Sequence, residues 1–106
     1  MIRPATLGDI RQFYGYEIPI TARALAMERN GKVVGVGGYY LNNGSVVVFT
    51  DNDGSLNKRE VIEGGRAVMA LVEKFRGRIV AESGEDGTTA LRHFGFLEYG
   101  GAWVLP

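Results

Sequence analysis

The chain reads NKREVIEGGRAVMALVEKF from Asn57 to Phe75. Asn57 is a favourable N-cap residue, and Glu60 three positions later approximates a capping box, so the pattern predicts the start of a helix. The apolar residues that follow recur at the spacing of one helix face. They are Val61, Val68, Val72 and Phe75, with Ile62 and Met69 one step round. We therefore expect an amphipathic helix whose apolar face packs against the rest of the domain.

Two adjacent glycines, Gly64 and Gly65, lie early in this predicted helix. Each weakens a helix by about 1 kcal/mol relative to alanine, so the pair needs a structural reason. One reason is close approach of a strand to the helix backbone, and the other is close approach of a phosphate-bearing ligand. The sequence leaves both reasons open.

Strand-like segments flank the predicted helix. Ser45–Thr50 precedes it and Ile79–Glu82 follows it, which is the order of a crossover connection between two parallel strands. Upstream, Asn30-Gly31 and Asn42-Asn43-Gly44 are typical of tight hairpin turns. These turns predict three consecutive antiparallel strands, namely Ala22–Arg29, Lys32–Leu41 and Ser45–Thr50.

Glycines also interrupt the second of these strands. Gly35, Gly37 and Gly38 are typical of a β-bulge, or of a place where another backbone or a ligand lies close. The next strand is continuously apolar from Val46 to Phe49, as expected of a strand that is covered on both faces.

The two ends of the chain supply the remaining elements. Thr6 is a suitable N-cap for a short helix, and Gly15 is a suitable end for it. Its apolar stripe is expected to consist of Leu7, Ile10, Phe13 and Tyr14. The other predicted elements are strands at Ile2–Ala5 and Arg78–Glu82, a helix at Thr88–Phe94, and a hairpin of Phe96–Tyr99 and Ala102–Leu105 around Gly100-Gly101.

The predicted element order is β-α-β-β-β-α-β-α-β-β. This order indicates an α+β (mixed α/β) fold, in which a mixed, mostly antiparallel sheet of about six to seven strands carries helices on both faces. A length of 106 residues indicates one domain that spans residues 1–106.

Composition excludes several classes of function. With 12 basic and 12 acidic residues, the net charge of +0 gives no long-range attraction to nucleic acid or to an anionic membrane. The absence of cysteine excludes disulfides, thiolate zinc sites and a cysteine nucleophile. A metal site is not expected, because the chain has one histidine and its DNDG segment lacks the distant bidentate glutamate of a calcium loop. No apolar run approaches the ~18 residues of a membrane helix and no signal peptide is recognised, so we expect a cytoplasmic protein.

Four segments, taken in order, carry a likeness to a known family. Ile2–Asp9 reads IRPAT-x-x-D, Glu28–Gly38 reads ERNGKVVGVGG, Glu63–Phe75 reads EGGRAVMALVEKF, and Ala90–Gly100 reads ALRHFGFLEYG. Together they resemble the GCN5-related N-acetyltransferase (GNAT) family over nearly the whole chain. The short first third is also similar to small GNAT-like proteins encoded by tailed phages.

The resemblance implies direct transfer of acetyl from acetyl-CoA to an acceptor amine. The pantetheine arm would add to an opened edge where Val46–Thr50 splays from Arg78–Glu82, and the start of the central helix would bind the pyrophosphate. The residues implied in binding acetyl-CoA are Val48, Phe49, Thr50, Lys58, Arg59, Gly64 and Gly65. The candidate catalytic residues are Glu82, at the end of a predicted strand beside this opened edge, as the general base, and His93 or Tyr99, which are near but off the register of the family's usual Tyr, as the acid for the leaving thiolate.

The chain departs from the family pattern at the phosphate loop and in the closing helix. Glu60 takes the place of an Arg or Gln, and Glu63 that of the first loop Gly, so two carboxylates would face the pyrophosphate and weaken acetyl-CoA binding. Leu91 takes the place of the usual Tyr, and Gly84 falls near the position of a frequent Asn.

Two functions therefore stay open. One is an acetyl-CoA-dependent N-acetyltransferase with an amine acceptor. The other is a GNAT-fold binding or structural module without catalysis, which contacts a protein partner in a phage or prophage context. Neither function specifies the oligomeric state, and a homodimer is compatible with both.

Overall fold

The computed structural model describes residues 1–16, 23–75, 77–82, 88–99 and 102–105. Within these ranges, the elements are β1 (Ile2–Pro4), α1 (Leu7–Tyr14), β2 (Arg23–Arg29), β3 (Lys32–Asn42), β4 (Ser45–Asn52), α2 (Lys58–Val72), β5 (Ile79–Glu82), α3 (Thr88–His93), β6 (Leu97–Tyr99) and β7 (Ala102–Leu105). Two bounds bear on the site: β4 runs to Asn52, two residues beyond the predicted end, and α2 ends at Val72, before Phe75.

The seven strands form one sheet in the order β1-β2-β3-β4-β5-β7-β6. Neighbouring strands are antiparallel, with the exception of β4 and β5, which pair in parallel. This arrangement confirms the mixed, mostly antiparallel sheet. The parallel pair joined through α2 confirms the predicted crossover connection.

Both predicted hairpin turns are two-residue turns with left-handed backbone. Asn30 and Gly31 have φ of 53° and 77°, and Asn43 and Gly44 have φ of 50° and 80°. Positive φ at both central residues is the signature of the turn that matches the twist of antiparallel strands. The register between β2 and β3 shifts between Met27 and Glu28, which confirms a bulge beside the β3 glycines.

Helices cover both faces of the sheet, as predicted. The side chains of β4 alternate, so that Val48 packs in a cluster with Val68 and Val72 of α2, whereas Phe49 packs in a second cluster with Ile10 of α1. The predicted stripe of α1 is wrong at Leu7, whose exposed fraction is 70%. Leu7 lies in the first turn of α1, one turn before the residue that reaches the sheet.

The inward face of α2 is the one that the sequence predicts. Val68 and Val72 are buried, and Phe75 follows the helix with its ring edge-on to Tyr39, at 5.1 Å between centroids. The helix lies close to β3, because a Cβ added to Gly37 would lie 2.7 Å from Cγ2 of Val68. Close approach of helix and strand is therefore one reason for glycine in β3.

An arginine fixes the start of the chain to the sheet. Arg3 on β1 donates to both carboxylate oxygens of Asp9, at 2.6 and 3.1 Å, and to Oε2 of Glu28 at 2.8 Å. Asp9 also accepts from the backbone N–H of Thr6 at 2.7 Å, within the capping box of α1. Arg3, followed by the Thr6 N–H, holds the pKa of Asp9 well below its usual range.

We expect Val68→Asp to unfold the domain, because an unpaired carboxylate at this buried position costs about 3–5 kcal/mol. Ala70→Asp is the matched control, since Ala70 lies on the exposed side of the same helix. Thermal and urea unfolding of both variants checks the prediction. A folded Val68→Asp variant with the wild-type thermal midpoint would show that this face does not pack against the sheet.

We expect Asp9→Asn to reduce the dependence of stability on acid pH. The pKa of Asp9 is lower in the folded chain than in the unfolded chain, where it is about 3.9. Asp9 therefore stabilises the fold above about pH 4, and this contribution is lost as the pH falls further. Urea midpoints between about pH 7 and pH 2.5 should fall less for Asp9→Asn than for the wild type or for Glu98→Gln, which alters an exposed carboxylate. Parallel curves for all three proteins would contradict a role for the Arg3–Asp9 pair.

Candidate functional site

A cavity of about 180 Å³ lies between the first half of α2 and strands β2 to β4. We call it the α2 cleft. Its apolar lining comes from the sheet, from α2 and from the segment around α3. These side chains are Ile2, Leu25, Met27, Val48, Leu56, Val61, Val68, Met69, Leu91, Phe94 and Phe96. An apolar cavity of about 150 Å³ holds benzene, so the α2 cleft is large enough for a small ring or a short acyl chain.

Glycines on both walls contribute to this space. Gly35 and Gly37 line it from β3, and Gly64 and Gly65 line it from α2. A Cβ added to Gly65 would lie 2.4 Å from Cε2 of Phe94, so this glycine is required by the ring that packs on the helix. A Cβ on Gly64 would meet only Cε of Met27, at the ordinary contact distance of 3.5 Å. Packing therefore explains Gly65 and does not explain Gly64.

The start of α2 is closed by its own capping box, as predicted. The Asn57 side chain accepts from the Glu60 N–H at 2.8 Å, and Glu60 accepts from the Asn57 N–H at 3.0 Å. Glu60 also forms an ion pair with Arg29. Arg29, followed by the Asn57 N–H, lowers the pKa of Glu60. A negative charge therefore stands at the positive end of the helix dipole, beside the α2 cleft.

The loop before α2 also uses its backbone donors internally. The N–H of Gly54 donates to Asn52 at 2.8 Å, and the N–H of Ser55 donates to Asp53 at 2.9 Å. The N–H of Asp53 donates to the carbonyl of Val34 at 3.0 Å. With the N–H of Asn57, four donors that could face a pyrophosphate are occupied. Lys58 and Arg59 are exposed, and Arg59 is paired with Glu63 at 3.2 Å.

The predicted splay of β4 from β5 is wrong over most of its length. The two strands stay paired from Val46 opposite Ile79 to Phe49 opposite Glu82. Val48 and Phe49 are buried and also pair with β3, so their backbone does not form an open edge. The apolar part of β4 is therefore covered on both faces, and it is also hydrogen-bonded to a neighbouring strand on each side.

The edge of β4 extends past β5 only near its end. Thr50 and the two residues after it lie beyond the last β4–β5 pair and continue to pair with β3. Thr50 lines the α2 cleft. Of the three β4 residues predicted to bind acetyl-CoA, it is therefore the one that lies at the end of the paired region.

The three residues predicted to be catalytic lie on separate elements. Glu82 ends β5, opposite Phe49. His93 ends α3 and is exposed, with its ring edge-on to Phe94 at 5.0 Å between centroids. Tyr99 lies on β6, at the outer edge of the sheet and separated from β5 by β7. The backbone thus places Glu82 beside the paired end of β4, and Tyr99 two strands away from β5. Three glycines named in the sequence analysis, Gly84, Gly100 and Gly101, lie outside the described residues.

The titratable residues at the described walls of the α2 cleft are Asp51 and Glu60. The carboxylate of Asp51 accepts from the hydroxyl of Tyr14, on the α1 side of the sheet, at 2.5 Å. The lowered pKa of Glu60 makes it a weak general base. Leu91, at the position where the resemblance to the GNAT family leads one to expect a Tyr, is buried in the core. This part of the cleft is therefore better suited to binding an apolar group than to moving a proton.

Sequence reasoning did not assign several residues that form the cleft. Leu25 and Met27 line it from β2, and Phe94 lines it from the end of α3. The alternation of Leu25 and Met27 along a strand was a usable signal, because residues two apart share a face. Within the described ranges, no cluster of three or more His, Cys, Asp or Glu residues could hold a metal ion, and no helix is long and apolar enough to span a membrane.

We expect Gly64→Ala and Gly65→Ala to change stability in opposite directions. Gly64→Ala should stabilise the fold by about 0.4–1 kcal/mol, because the new methyl meets ordinary contact distances and the unfolded chain loses freedom. Gly65→Ala should destabilise it by about 1–3 kcal/mol, because the methyl overlaps the ring of Phe94. Urea unfolding of the pair, which differs by one position on one helix, provides the measurement. Equal effects would mean that the ring does not pack on Gly65.

No family model, curated protein or solved structure matches this chain. The α2 cleft and the start of α2 are therefore the basis on which we infer a function.

Proposed function

We propose that this chain is a GNAT-like module that binds a small apolar group in the α2 cleft without transferring an acetyl group. The observation that carries the proposal is the closed start of α2. The side chains of Asn52, Asp53, Asn57 and Glu60 already accept from four backbone N–H groups at and before the helix start, which leaves fewer donors for a pyrophosphate.

The lining of the cleft supports an aliphatic or aromatic occupant. Its walls are the apolar faces of β2, β4 and α2, so an apolar group entering it would be removed from water on several sides. Thr50 and Asn52 supply polar groups near the end of β4. This combination of an apolar cavity and a few polar groups is typical of small-molecule sites. A ring-sized fragment should bind with a dissociation constant on the order of 0.1–1 mM.

Electrostatics disfavour the acetyl-CoA pyrophosphate at the same place. Glu60 stays ionised because Arg29 lowers its pKa, so a phosphate at the helix start would meet a carboxylate. Arg29 could compensate this charge, but its guanidinium is already paired with that carboxylate. A phosphate that took Arg29 as its partner would therefore have to displace Glu60, which lowers the affinity for acetyl-CoA.

The second candidate is the acetyl-CoA-dependent N-acetyltransferase that the family resemblance implies. It is favoured by the end of β4, where Thr50–Asn52 extends past β5 beside the cleft and could pair with an extended pantetheine arm. A thiolate with a pKa near 8–9, like a free cysteine, can leave unprotonated, so Leu91 alone does not prevent the reaction. The amine acceptor, the phage or prophage context, the protein partner and the cytoplasmic location rest on the sequence alone.

Titration with toluene and with acetyl-CoA, followed by methyl NMR, tests the two functions. We expect saturable toluene shifts at Val61 and Val68 in the α2 cleft, and no shifts at Ile10 and Val33 in the α1 cluster. We expect no saturation by acetyl-CoA up to about 1 mM, which corresponds to less than roughly 4 kcal/mol of binding.

The matched control is Gly64→Leu, which keeps the helix and places a side chain in the cleft. It should abolish the toluene shifts and leave the fold intact. Sub-micromolar binding of acetyl-CoA, together with release of free thiol when amines are added, would instead establish the acetyltransferase.

A further inference from the structure

We propose that Phe94 determines the size of the group that the α2 cleft accepts. The inference rests on the proposed function and adds a specificity-determining residue to it. Phe94 follows α3 directly, is half-buried and lines the cleft.

The ring of Phe94 packs directly on the backbone of α2. A Cβ built on Gly65 would lie 2.4 Å from its Cε2 atom and 2.9 Å from its Cζ atom. No residue with a side chain could occupy position 65 without displacing this ring or the helix. Because Gly65 has no side chain, the ring of Phe94 can pack against the helix backbone and close one side of the cleft.

The backbone around Phe94 holds the ring in this position. Gly95 adopts a left-handed φ of 90°, and its N–H donates to the Arg92 carbonyl at 3.1 Å. The N–H of Phe96 donates to the Leu91 carbonyl at 3.0 Å. Leu91 and Phe96 are both buried in the core, so the chain is anchored on either side of Phe94.

The role of Phe94 differs from that of the other large apolar walls. Val48 and Val68 belong to the packed contact between α2 and the sheet, so their truncation would disturb the fold itself. Phe94 is only partly buried and its ring covers a glycine. Truncating it therefore extends the cleft along α2 without removing a contact between helix and sheet.

The experiment compares benzene, ethylbenzene and n-butylbenzene as ligands of four proteins. These are the wild type, Phe94→Ala, Phe94→Leu and Phe75→Ala. Phe75 is the matched control, because it is a half-buried phenylalanine of the same cluster that does not line the cleft. Affinity is measured by methyl NMR shifts, and folding by urea unfolding.

In the Phe94 variants, we expect n-butylbenzene to gain about tenfold in affinity relative to ethylbenzene, because two more methylenes are buried in the extended cleft. The wild type and Phe75→Ala should share one preference, for the smaller ligands. Phe94→Leu keeps more of the packing and provides the test if Phe94→Ala does not fold.

Each outcome distinguishes the inference from the function on which it rests. If the wild type binds these ligands and the Phe94 variants keep its preference, Phe94 does not determine size and the inference is wrong. If no protein binds any ligand, both the binding function and the inference are wrong. If the Phe94 variants bind and the wild type does not, Phe94 closes the cleft completely, which supports its role and contradicts binding by the native chain.

Discussion

The contact between Val68 and Gly37 determines how closely α2 lies to the sheet. Val68 is buried against a position of β3 that carries no side chain, and a Cβ there would lie only 2.7 Å from the valine methyl. This contact, continued by Val72, anchors the crossover helix between the parallel strands β4 and β5. The cleft lies beside the first half of the same helix, and Gly64 and Gly35 line it without side chains. Helix packing and ligand space are thus two consequences of one glycine-containing interface.

The start of α2 links local helix stability to the choice of ligand. A capping box satisfies N–H groups that a helix would otherwise leave without partners, and an N-cap residue contributes about 1 kcal/mol. Here Asn57 and Glu60 fill this role, and Arg29 keeps Glu60 charged. A carboxylate and part of the donors at this helix N-terminus are therefore already in place, which makes it less attractive to phosphate. What remains beside them is an apolar cleft, and this directs the proposed function toward an uncharged group.

Much of the fold could be predicted from the sequence, because its signals are local. The turns at Asn30-Gly31 and Asn43-Gly44 depend on residues that tolerate positive φ, and both capping boxes depend on residues three apart. The parallel pairing of β4 and β5 was predicted from a helical pattern that lies between two apolar segments. The prediction that Leu7 belongs to the packed stripe of α1 was wrong, because periodicity shows which side of a helix is apolar but not how far the sheet extends beneath it.

The site was less predictable, because it depends on contacts between distant segments. The packing of Phe94 on Gly65 joins the segment after α3 to α2, and the pairing of Arg29 with Glu60 joins β2 to α2. The extent of β4–β5 pairing is also a long-range property, so the family resemblance placed the open edge over Val46–Thr50 although the strands remain paired to Phe49. The sequence predicted the capped start of α2, but not its partner Arg29, because that contact joins residues far apart in the chain.

Gly64 gives further support to the proposal that the α2 cleft is the functional feature of the chain. The two helix glycines together cost about 2 kcal/mol, against a total stability of roughly 5–15 kcal/mol for a domain. The ring of Phe94 explains Gly65, but the ordinary 3.5 Å contact that a methyl on Gly64 would make leaves Gly64 without a packing reason. Positions that break a local rule without a structural gain are expected where function requires them. Gly64 lines the α2 cleft, so the unexplained loss of helix stability lies where an incoming group needs the space.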